Sequence, residues 1–264
     1  MIGQEKLKYK IKAQIEARKY PRCSIFIGPE GSGKRTLSKW IATKLSAHHV
    51  IVSGKIDDVR QVIQLANSSH LKTLYVFANV DTMSNNAQNA LLKLLEEPPN
   101  NAYIMVTALS EDNLLNTIIS RGVVYYMQPY TPQEIQEYYE GPEEVVRQVC
   151  ETPGEVDLLV ASGIDKVYDY ASLVADNIGQ VTGANALKIG SKIAFKDEAD
   201  KINLKIFFKV FLAVCYDECY IHIDETYANW IVITLNYLRQ LNIKGVNKSM
   251  LFDSWVLDCR QILF

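Results

Sequence analysis

A glycine-rich segment near the start of the chain has the residue types and spacing of a phosphate-binding loop. The segment is Gly28-Pro29-Glu30-Gly31-Ser32-Gly33-Lys34-Arg35-Thr36. A short apolar run precedes it and apolar residues follow it at helical spacing, so the sequence predicts a strand, the loop and then a helix. In that order, backbone N–H groups converge on an anion and the helix N-terminus adds partial positive charge. The candidate nucleotide-binding residues are Gly28, Gly31, Gly33, Lys34 and Thr36.

Hydrolysis of ATP at such a loop needs metal-binding and water-orienting groups, and the sequence lacks them. Arg35 stands where a hydroxyl should reach Mg²⁺, and Thr36 is rotated away from that position by about 100° around the helix. The strand that should end in two acids ends in Ala78-Asn79 instead. Asp81 follows about 10 Å further along extended chain, which makes it a poor replacement. We therefore expect a phosphate-binding fold that does not hydrolyse ATP by itself.

Two interpretations of Lys34 remain open. In one, the side chain caps or salt-bridges the loop as a structural remnant; in the other, it still supports weak binding of ATP or ADP. Arg35 is expected to be a solvated cation on the surface of the helix. Neither interpretation requires a cofactor.

The sequence contains no convincing set of metal ligands. Its five cysteines form neither Cys-x-x-Cys pairs nor a disulfide framework, so small buried thiols in a reducing cytosol are expected. Cys215 and Cys219 lie four positions apart on a predicted helix, but no nearby histidine and cysteine set completes tetrahedral ligation. The pair His48-His49 is expected to be exposed and without partners. We expect no metal.

Composition is that of an ordinary soluble protein. The chain has 264 residues, of which 48% are hydrophobic and 22% charged, and its length suffices for two or more domains. The net charge of −2 argues against a strongly basic nucleic-acid-binding protein. No apolar run is long enough to span a bilayer, and the lysine-rich N-terminus lacks the apolar core of a signal peptide. We therefore expect a cytoplasmic protein without membrane contact.

Strands and helices alternate through the first half of the chain. The predicted strands are Cys23–Ile27, His49–Val52, Thr73–Ala78, Ala102–Thr107 and Val123–Met127. Helical spacing of apolar residues separates them, which implies right-handed βαβ units and a parallel sheet. Ligands of such a sheet bind at the carboxyl ends of its strands.

From Tyr130 onward, helical patterns replace this alternation. Thr131-Pro132, Gly141-Pro142 and Pro153-Gly154 each mark the start of a helix. A boundary is predicted near Ser162-Gly163. The helical patterns beyond it are Asp169–Ile178, Ala184–Phe195, Lys201–Tyr220, Thr226–Leu241 and Asn247–Phe264. The last three are long and rich in aromatic and aliphatic residues, which indicates a helical bundle whose core they form.

Several short runs resemble the clamp-loader subunits of the AAA+ family. The most specific is Ala87–Pro99, which contains Ala-Gln-Asn-Ala-Leu-Leu-Lys and Leu-Glu-Glu-Pro-Pro. The other matching stretches are Ile2-Gly3-Gln4, Gly28–Thr36, Asp81-Thr82-Met83-Ser84 and Ser120-Arg121. Within that family the chain is most similar to the delta-prime subunits of bacterial DNA polymerase III. The resemblance covers the first half well and extends weakly to Asn247–Leu251, which is similar to the last collar helix.

The resemblance implies an α/β fold in three parts. These are an AAA+ P-loop core with a parallel sheet, a small helical lid and an all-α C-terminal collar domain that holds a ring of subunits together. Applied to this sequence, the parts correspond to residues 1–129, 130–165 and 166–264. This division agrees with the order of elements predicted from the hydrophobic patterns.

The resemblance also implies a function and partners. A delta-prime-like chain is an accessory subunit that helps to load the sliding clamp on primed DNA during replication. Its partners are the motor and delta-like subunits of a hetero-pentamer, and it meets the sliding clamp and primer-template DNA through that complex. Delta-prime subunits commonly have degenerate nucleotide sites, which agrees with the losses at Arg35, Ala78 and Asn79.

One further motif of the family points to a site residue. A serine-arginine-cysteine motif places an arginine against the ATP bound by the neighbouring motor subunit. Ser120 and Arg121 match its first two residues, and Gly122 replaces the cysteine. The resemblance therefore implies that Arg121, with Ser120 beside it, is an arginine finger acting in trans. A guanidinium in that place stabilises charge on the transferring phosphoryl group.

Two departures from the family limit what is carried over. The family usually has a four-cysteine zinc module after the P-loop helix, but residues 37–72 contain no cysteine, so we expect no zinc. A lid arginine that senses nucleotide should follow Pro153-Gly154, but Glu155, Val156 and Asp157 stand there. We expect an acid in that place to repel phosphate.

Alternative functions remain open from the sequence. One is an active ATPase of the same superfamily, either a motor clamp-loader subunit or an AAA+ remodeller. Another is a non-catalytic interaction scaffold outside replication, with a vestigial P-loop. A nucleoside kinase is disfavoured because it needs the missing magnesium ligands. Gln88 and Lys93 lie off the apolar face of their helix, where they either approach DNA or a neighbouring subunit or are simply solvated.

Overall fold

The chain forms two compact units. The computed structural model describes residues 2–52, 56–139, 144–178, 202–222, 225–241, 243 and 245–262. The units are Met1–Tyr130 and Thr131–Phe264. The further division into a lid at 130–165 and a collar at 166–264 stays a prediction.

The first unit contains a five-stranded parallel sheet, which confirms the α/β fold predicted from the alternating pattern. The strands are β1 (Cys23–Ile27), β2 (His48–Val52), β3 (Thr73–Phe77), β4 (Ala102–Ala108) and β5 (Val123–Tyr126). Their order in the sheet is β2-β3-β4-β1-β5, and every pair is parallel. Every residue of β1 and β3 is buried because helices cover both faces of the sheet.

Helices connect the strands of this sheet. They are α1 (Glu5–Glu16), α2 (Lys34–Leu45), α3 (Ile56–Ser68), α4 (Asn85–Glu96) and α5 (Asn116–Ile119), and a 3₁₀ turn spans Val80–Thr82. Successive strand residues point to opposite faces, so Ile25 and Phe26 enter different cores. Ile25 packs in the core that contains α3 and α4 residues, and Phe26 packs with residues of α1 and α2. The phosphate-binding segment connects β1 to α2, and α4 follows the 3₁₀ turn after β3.

All of the described secondary-structure elements of the second unit are helices. Its helices are α6 (Pro132–Tyr139), α7 (Glu144–Val149), α8 (Pro153–Ser162), α9 (Ile164–Asn177), α10 (Leu204–His222), α11 (Glu225–Gln240) and α12 (Lys248–Gln261). Gly163 has φ 78° and separates α8 from α9, where the sequence predicts a boundary. The predicted helix start at Gly141-Pro142 and the predicted helix Ala184–Phe195 lie outside the described residues.

Aromatic side chains of α10 fill the core of the second unit, as the sequence predicts. Phe207, Phe208 and Phe211 are fully buried and pack around Trp255 of α12, with ring centroids 4.8–5.7 Å from its ring. The indole N–H of Trp255 donates to Thr234 Oγ1 at 2.9 Å, so its polar atom is also satisfied.

Candidate functional site

The glycines of the segment between β1 and α2 adopt conformations that other residues disfavour. Gly31 and Gly33 have φ of 76° and 85°, in the left-handed region where a Cβ atom is strained. Gly28 is tightly packed, because a Cβ atom there would lie 2.6 Å from Met127 Cβ. The hydroxyl of Tyr130 donates to the Ser32 carbonyl oxygen at 3.0 Å and ties the loop to the chain after β5. The loop therefore has a defined conformation, and its backbone torsions and packing explain why glycine occupies positions 28, 31 and 33.

Lys34 turns back onto the loop in which it lies. Its Nζ donates to the carbonyl oxygens of Gly28 at 2.5 Å and Pro29 at 2.8 Å, and the residue is only 7% exposed. Burial lowers the pKa of Lys34 to about 8, although the charges of Asp81 and Glu30 oppose this shift. These contacts are those of the first interpretation, a cation that caps the loop. Weak nucleotide binding by Lys34 stays a prediction.

The positions after β3 where an ATPase has acidic residues are occupied by Ala78 and Asn79, and the nearby Asp81 has a structural role. Ala78 is half-buried, and Asn79 is exposed with φ 51° while its N–H donates to Thr107 Oγ1 at 3.0 Å. Asp81 is buried, and its Oδ2 accepts the N–H of Leu109 at 2.9 Å. This hydrogen bond joins the turn after β3 to the end of β4. Arg35 and Thr36, at the start of α2, are exposed to solvent.

Two buried oxygens near the loop lack hydrogen-bond partners within the described part of the chain. They are Ser32 Oγ in the loop and Asp81 Oδ1 in the 3₁₀ turn. The negative charge of Asp81 raises the pKa of Lys34, so the Asp81 carboxylate and the Lys34 ammonium interact electrostatically. Among the residues that the structure describes, no three His, Cys, Asp or Glu side chains are grouped to hold a metal ion.

Arg121 lies at the surface, directly after the short helix α5. Its Nε and Nη2 donate to Glu96 Oε1 at 2.9 and 2.5 Å, and its Nη1 donates to the Thr117 carbonyl oxygen at 2.8 Å. The side chain of Arg121 is 31% exposed and that of Glu96 is 49% exposed. Ser120 is exposed, and its hydroxyl also donates to Thr117, at 3.2 Å, so it serves the local turn. Nothing in the spacing of Glu96 and Arg121 in the sequence signals this contact.

Packing against β1 explains why glycine follows Arg121. A Cβ atom on Gly122 would lie 2.7 Å from Cγ1 and 2.8 Å from Cδ1 of Ile25, which is fully buried in the sheet. The cysteine found in the family motif would therefore need Ile25 to move. This departure from the motif is a local packing requirement, and it leaves the position of Arg121 intact.

Gln88 holds the segment before α5 in place. It is 1% exposed, its Nε2 donates to the Asn113 carbonyl oxygen and its Oε1 accepts the Leu115 N–H, both at 3.0 Å. Both alternatives for Gln88, an approach to DNA or a neighbouring subunit and simple solvation, are therefore wrong, because its amide is fully used inside the unit. Lys93 is exposed and lines an open groove of about 530 Å³ between α3 and α4, together with Arg60 and Asn89.

The expected phosphate-repelling acid after Pro153-Gly154 has a structural role instead. Glu155 is buried, and its carboxylate accepts hydrogen bonds from Lys205 Nζ at 2.7 Å, Lys209 Nζ at 2.8 Å and the Glu151 N–H at 2.8 Å. Burial alone would raise the pKa of Glu155, but these donors outweigh it and lower the pKa. The expectation is wrong for Glu155 because two lysines of α10 neutralise its charge.

His49 has a partner that the sequence analysis did not predict. Ser38 Oγ donates to the Arg35 carbonyl oxygen at 2.7 Å, so it can only accept from His49 Nε2, which lies at 2.8 Å. Burial and the cations Lys39 and Arg35 lower the pKa of His49. The expectation that both histidines of the pair are exposed and without partners is therefore wrong for His49.

Comparisons with known proteins agree with the motifs, because they also indicate similarity to DNA polymerase III subunits. Residues 46–131 match a family model described as DNA polymerase III, delta subunit. The DNA polymerase III subunit delta' of Bacillus subtilis is 39% identical over 25% of this chain and 20% of its own length. The subunit tau of the same organism is 26% identical over 51% of this chain and 30% of its own length. These matches support a clamp-loader family member.

The fold of this chain is that of AAA+ P-loop proteins. The crystal structure of a DNA polymerase III gamma subunit-related protein from Thermotoga maritima is similar with a TM-score of 0.58 and 16% identity. That similarity covers 97% of this chain and 99% of the other. The sequence matches are shorter, since the two Bacillus subtilis subunits are covered over only 30% and 20% of their own length. No helix in the described residues is long and apolar enough to cross a membrane.

Proposed function

We propose that this chain is a delta-prime-like accessory subunit of a DNA polymerase III clamp loader. It has no ATPase activity of its own and completes the ATP site of a neighbouring motor subunit with Arg121. The observation that carries this proposal is the position of Arg121, which follows the serine of the family motif and presents a partly exposed guanidinium on a braced segment. A guanidinium so placed can meet a phosphate of another chain.

The groups around the chain's own loop support the absence of hydrolysis. Arg35 is exposed at the position of the metal-binding hydroxyl, and Ala78 and Asn79 replace the acids at the end of β3. Asp81 already uses one carboxylate oxygen on the Leu109 N–H. These residues support a site that lacks the metal-binding and water-orienting groups that the reaction needs.

The proposed partners are the motor and delta-like subunits of a hetero-pentamer in the cytoplasm. The sliding clamp and primer-template DNA are reached through that complex. Exposed apolar side chains in the C-terminal helices support subunit contacts in the second unit, because isolated surfaces rarely display so many. The most exposed of them are Tyr220, Met250, Ile221 and Val232, with Tyr220 at 91% exposure.

Replacement of Arg121 by alanine tests the proposed function. In a complex reconstituted with candidate motor and delta-like subunits, Arg121→Ala should lower DNA-stimulated ATP turnover at least about tenfold. Assembly, followed by gel filtration, should be unchanged because the side chain is exposed. Arg147→Ala is the matched control, since Arg147 also forms an exposed ion pair, with Glu144. Unchanged turnover with Arg121→Ala would refute the role of Arg121 as an arginine finger. Failure of the chain to assemble with any clamp-loader subunit would favour the alternative of a scaffold outside replication.

The active-ATPase alternative has its own test. The purified chain should show no ATP turnover above background, and Lys34→Ala should leave that background unchanged. Turnover by the chain alone that Lys34→Ala abolishes would establish the alternative instead.

A further inference from the structure

We propose that Glu96 is a positioning residue that orients the guanidinium of Arg121 toward the phosphate of the neighbouring subunit. This inference rests on the proposed function, because it assigns a role to Glu96 only if Arg121 acts on another chain. It assigns a role to a second residue of this chain and gives the guanidinium of Arg121 a defined orientation.

The hydrogen bonds of Arg121 leave one N–H of Nη2 without a partner among the described residues. Nε and Nη2 both donate to Glu96 Oε1, so the carboxylate occupies the side edge of the planar group. Nη1 donates to the Thr117 carbonyl oxygen at 2.8 Å and makes a long contact of 3.5 Å with Ser120 Oγ. A guanidinium has five N–H donors in a fixed fork, and Nη2 uses only one of its two N–H groups on Glu96. The second N–H of Nη2 points away from Glu96, and the weak contact with Ser120 is one that a phosphate oxygen can replace.

The backbone that carries Arg121 is fixed on both sides of the residue. Gln88 of α4 binds the chain before α5 through Asn113 and Leu115, and the N–H of Arg121 donates to the Ile118 carbonyl oxygen at 3.0 Å. On the other side, Gly122 packs closely against Ile25. The side-chain torsions of Arg121 are then the main remaining freedom, and the pair with Glu96 restricts them. Such restriction lowers the entropy lost when the finger engages its target.

The position of Glu96 in its helix argues against a role in helix stability. Glu96 is the last residue of α4, where the helix presents its partial negative charge. An acid there is locally unfavourable, and exposed ion pairs such as this one contribute little to stability. The benefit of Glu96 therefore lies in what it does to Arg121. Glu97, the next residue, offers the same charge at a comparable exposed position and serves as the matched control.

A double-mutant cycle in the reconstituted complex tests this role. Glu96→Ala should lower kcat of the DNA-stimulated ATPase about 3- to 10-fold at saturating ATP, because the finger must then be ordered from many rotamers. KM for ATP should change less than kcat. Glu96→Gln, which keeps an acceptor oxygen, should restore most of the activity, and Glu97→Ala should have no effect. In the Arg121→Ala background, Glu96→Ala should cause no further loss.

Three results would overturn the inference, and they are distinguishable. Full activity of Glu96→Ala together with a loss in Arg121→Ala would refute the role of Glu96 and leave the proposed function standing. An equal loss from Glu96→Ala in the Arg121→Ala background, or a drop in the melting temperature that accounts for it, would show a structural role. Full activity of Arg121→Ala would refute the proposed function itself and the inference with it.

Discussion

Lys34 and Arg121 are two cations of the same unit with opposite arrangements. Lys34 is buried, and its ammonium binds carbonyl oxygens of its own loop. Arg121 is partly exposed, and its contacts with Glu96, Thr117 and Ser120 leave one N–H of Nη2 without a partner among the described residues. The ammonium of Lys34 is thus satisfied by its own loop, whereas Arg121 is held by contacts within the unit and keeps a partly exposed side chain. The P-loop therefore identifies the fold of this chain, whereas the proposed chemical role of the chain belongs to Arg121.

Glu155 is a third charged residue to compare, because it was expected to repel phosphate and is instead paired with two lysines. Glu155→Ala should destabilise the protein by about 3 kcal/mol, since it leaves Lys209 largely buried without its main partner. Wild-type protein should also lose stability as pH falls below about 4, because the pKa of Glu155 is lowered in the folded state and its contribution is lost on protonation. Urea denaturation across pH measures both effects. Glu144→Ala, which breaks an exposed pair, is the control, and an equal cost for both variants would contradict the assignment.

The close packing of Gly122 against Ile25, beside Arg121, can be tested by substitution. Gly122→Ala should destabilise the chain by about 1–3 kcal/mol, because the new Cβ atom overlaps Ile25. Ile25→Val removes Cδ1 and should make the double variant less destabilised than the sum of the single changes. Thermal denaturation of the four proteins measures the coupling. Strict additivity would mean that Ile25 does not dictate the glycine.

Loss of Lys34 should affect the fold more than the reaction. Lys34→Ala removes two hydrogen bonds from a charged donor to Gly28 and Pro29 and should cost about 1–2 kcal/mol of stability. Arg121→Ala should cost less than about 1 kcal/mol, because its pair with Glu96 is exposed. Chemical denaturation of both variants gives the ranking. A larger cost for Arg121→Ala would reverse the comparison.

The smallest expected effect is a pH dependence that belongs to Lys34. Its pKa in the folded protein is about 8, below its unfolded value, so the unfolded state binds more protons above pH 8. Wild-type stability should therefore rise relative to Lys34→Met, on the order of 1 kcal/mol between pH 8 and 9. The comparison with Lys34→Met removes the titrations of tyrosines and cysteines. Parallel pH profiles would show that Lys34 is not buried as a cation.

The sheet and the loop were predictable because their signals are local. Parallel strands buried on both faces are apolar runs, and helices of the first unit follow each of them at helical spacing. The boundaries shifted slightly: β2 begins at His48 and β5 ends at Tyr126. The aromatic core of α10 was likewise evident from composition and spacing.

The side-chain partners were not predictable, because they join residues far apart in the chain. Gln88 binds a loop 25 residues away, and Glu155 binds Lys209 at a separation of 54 residues. Off the apolar face of a helix, a polar residue looks solvated whether or not a distant loop folds over it. The pair of Arg121 with Glu96 has the same character, so the sequence indicated the finger but gave no sign of its brace.

ATP turnover of a reconstituted clamp loader tests the central claim most directly. The complex should contain this chain as wild type, Lys34→Ala or Arg121→Ala, with equal assembly verified for each. We predict that Arg121→Ala lowers DNA-stimulated turnover at least about tenfold and that Lys34→Ala changes it less than about twofold. Loss of turnover with Lys34→Ala and none with Arg121→Ala would contradict the account, because hydrolysis would then depend on the chain's own loop.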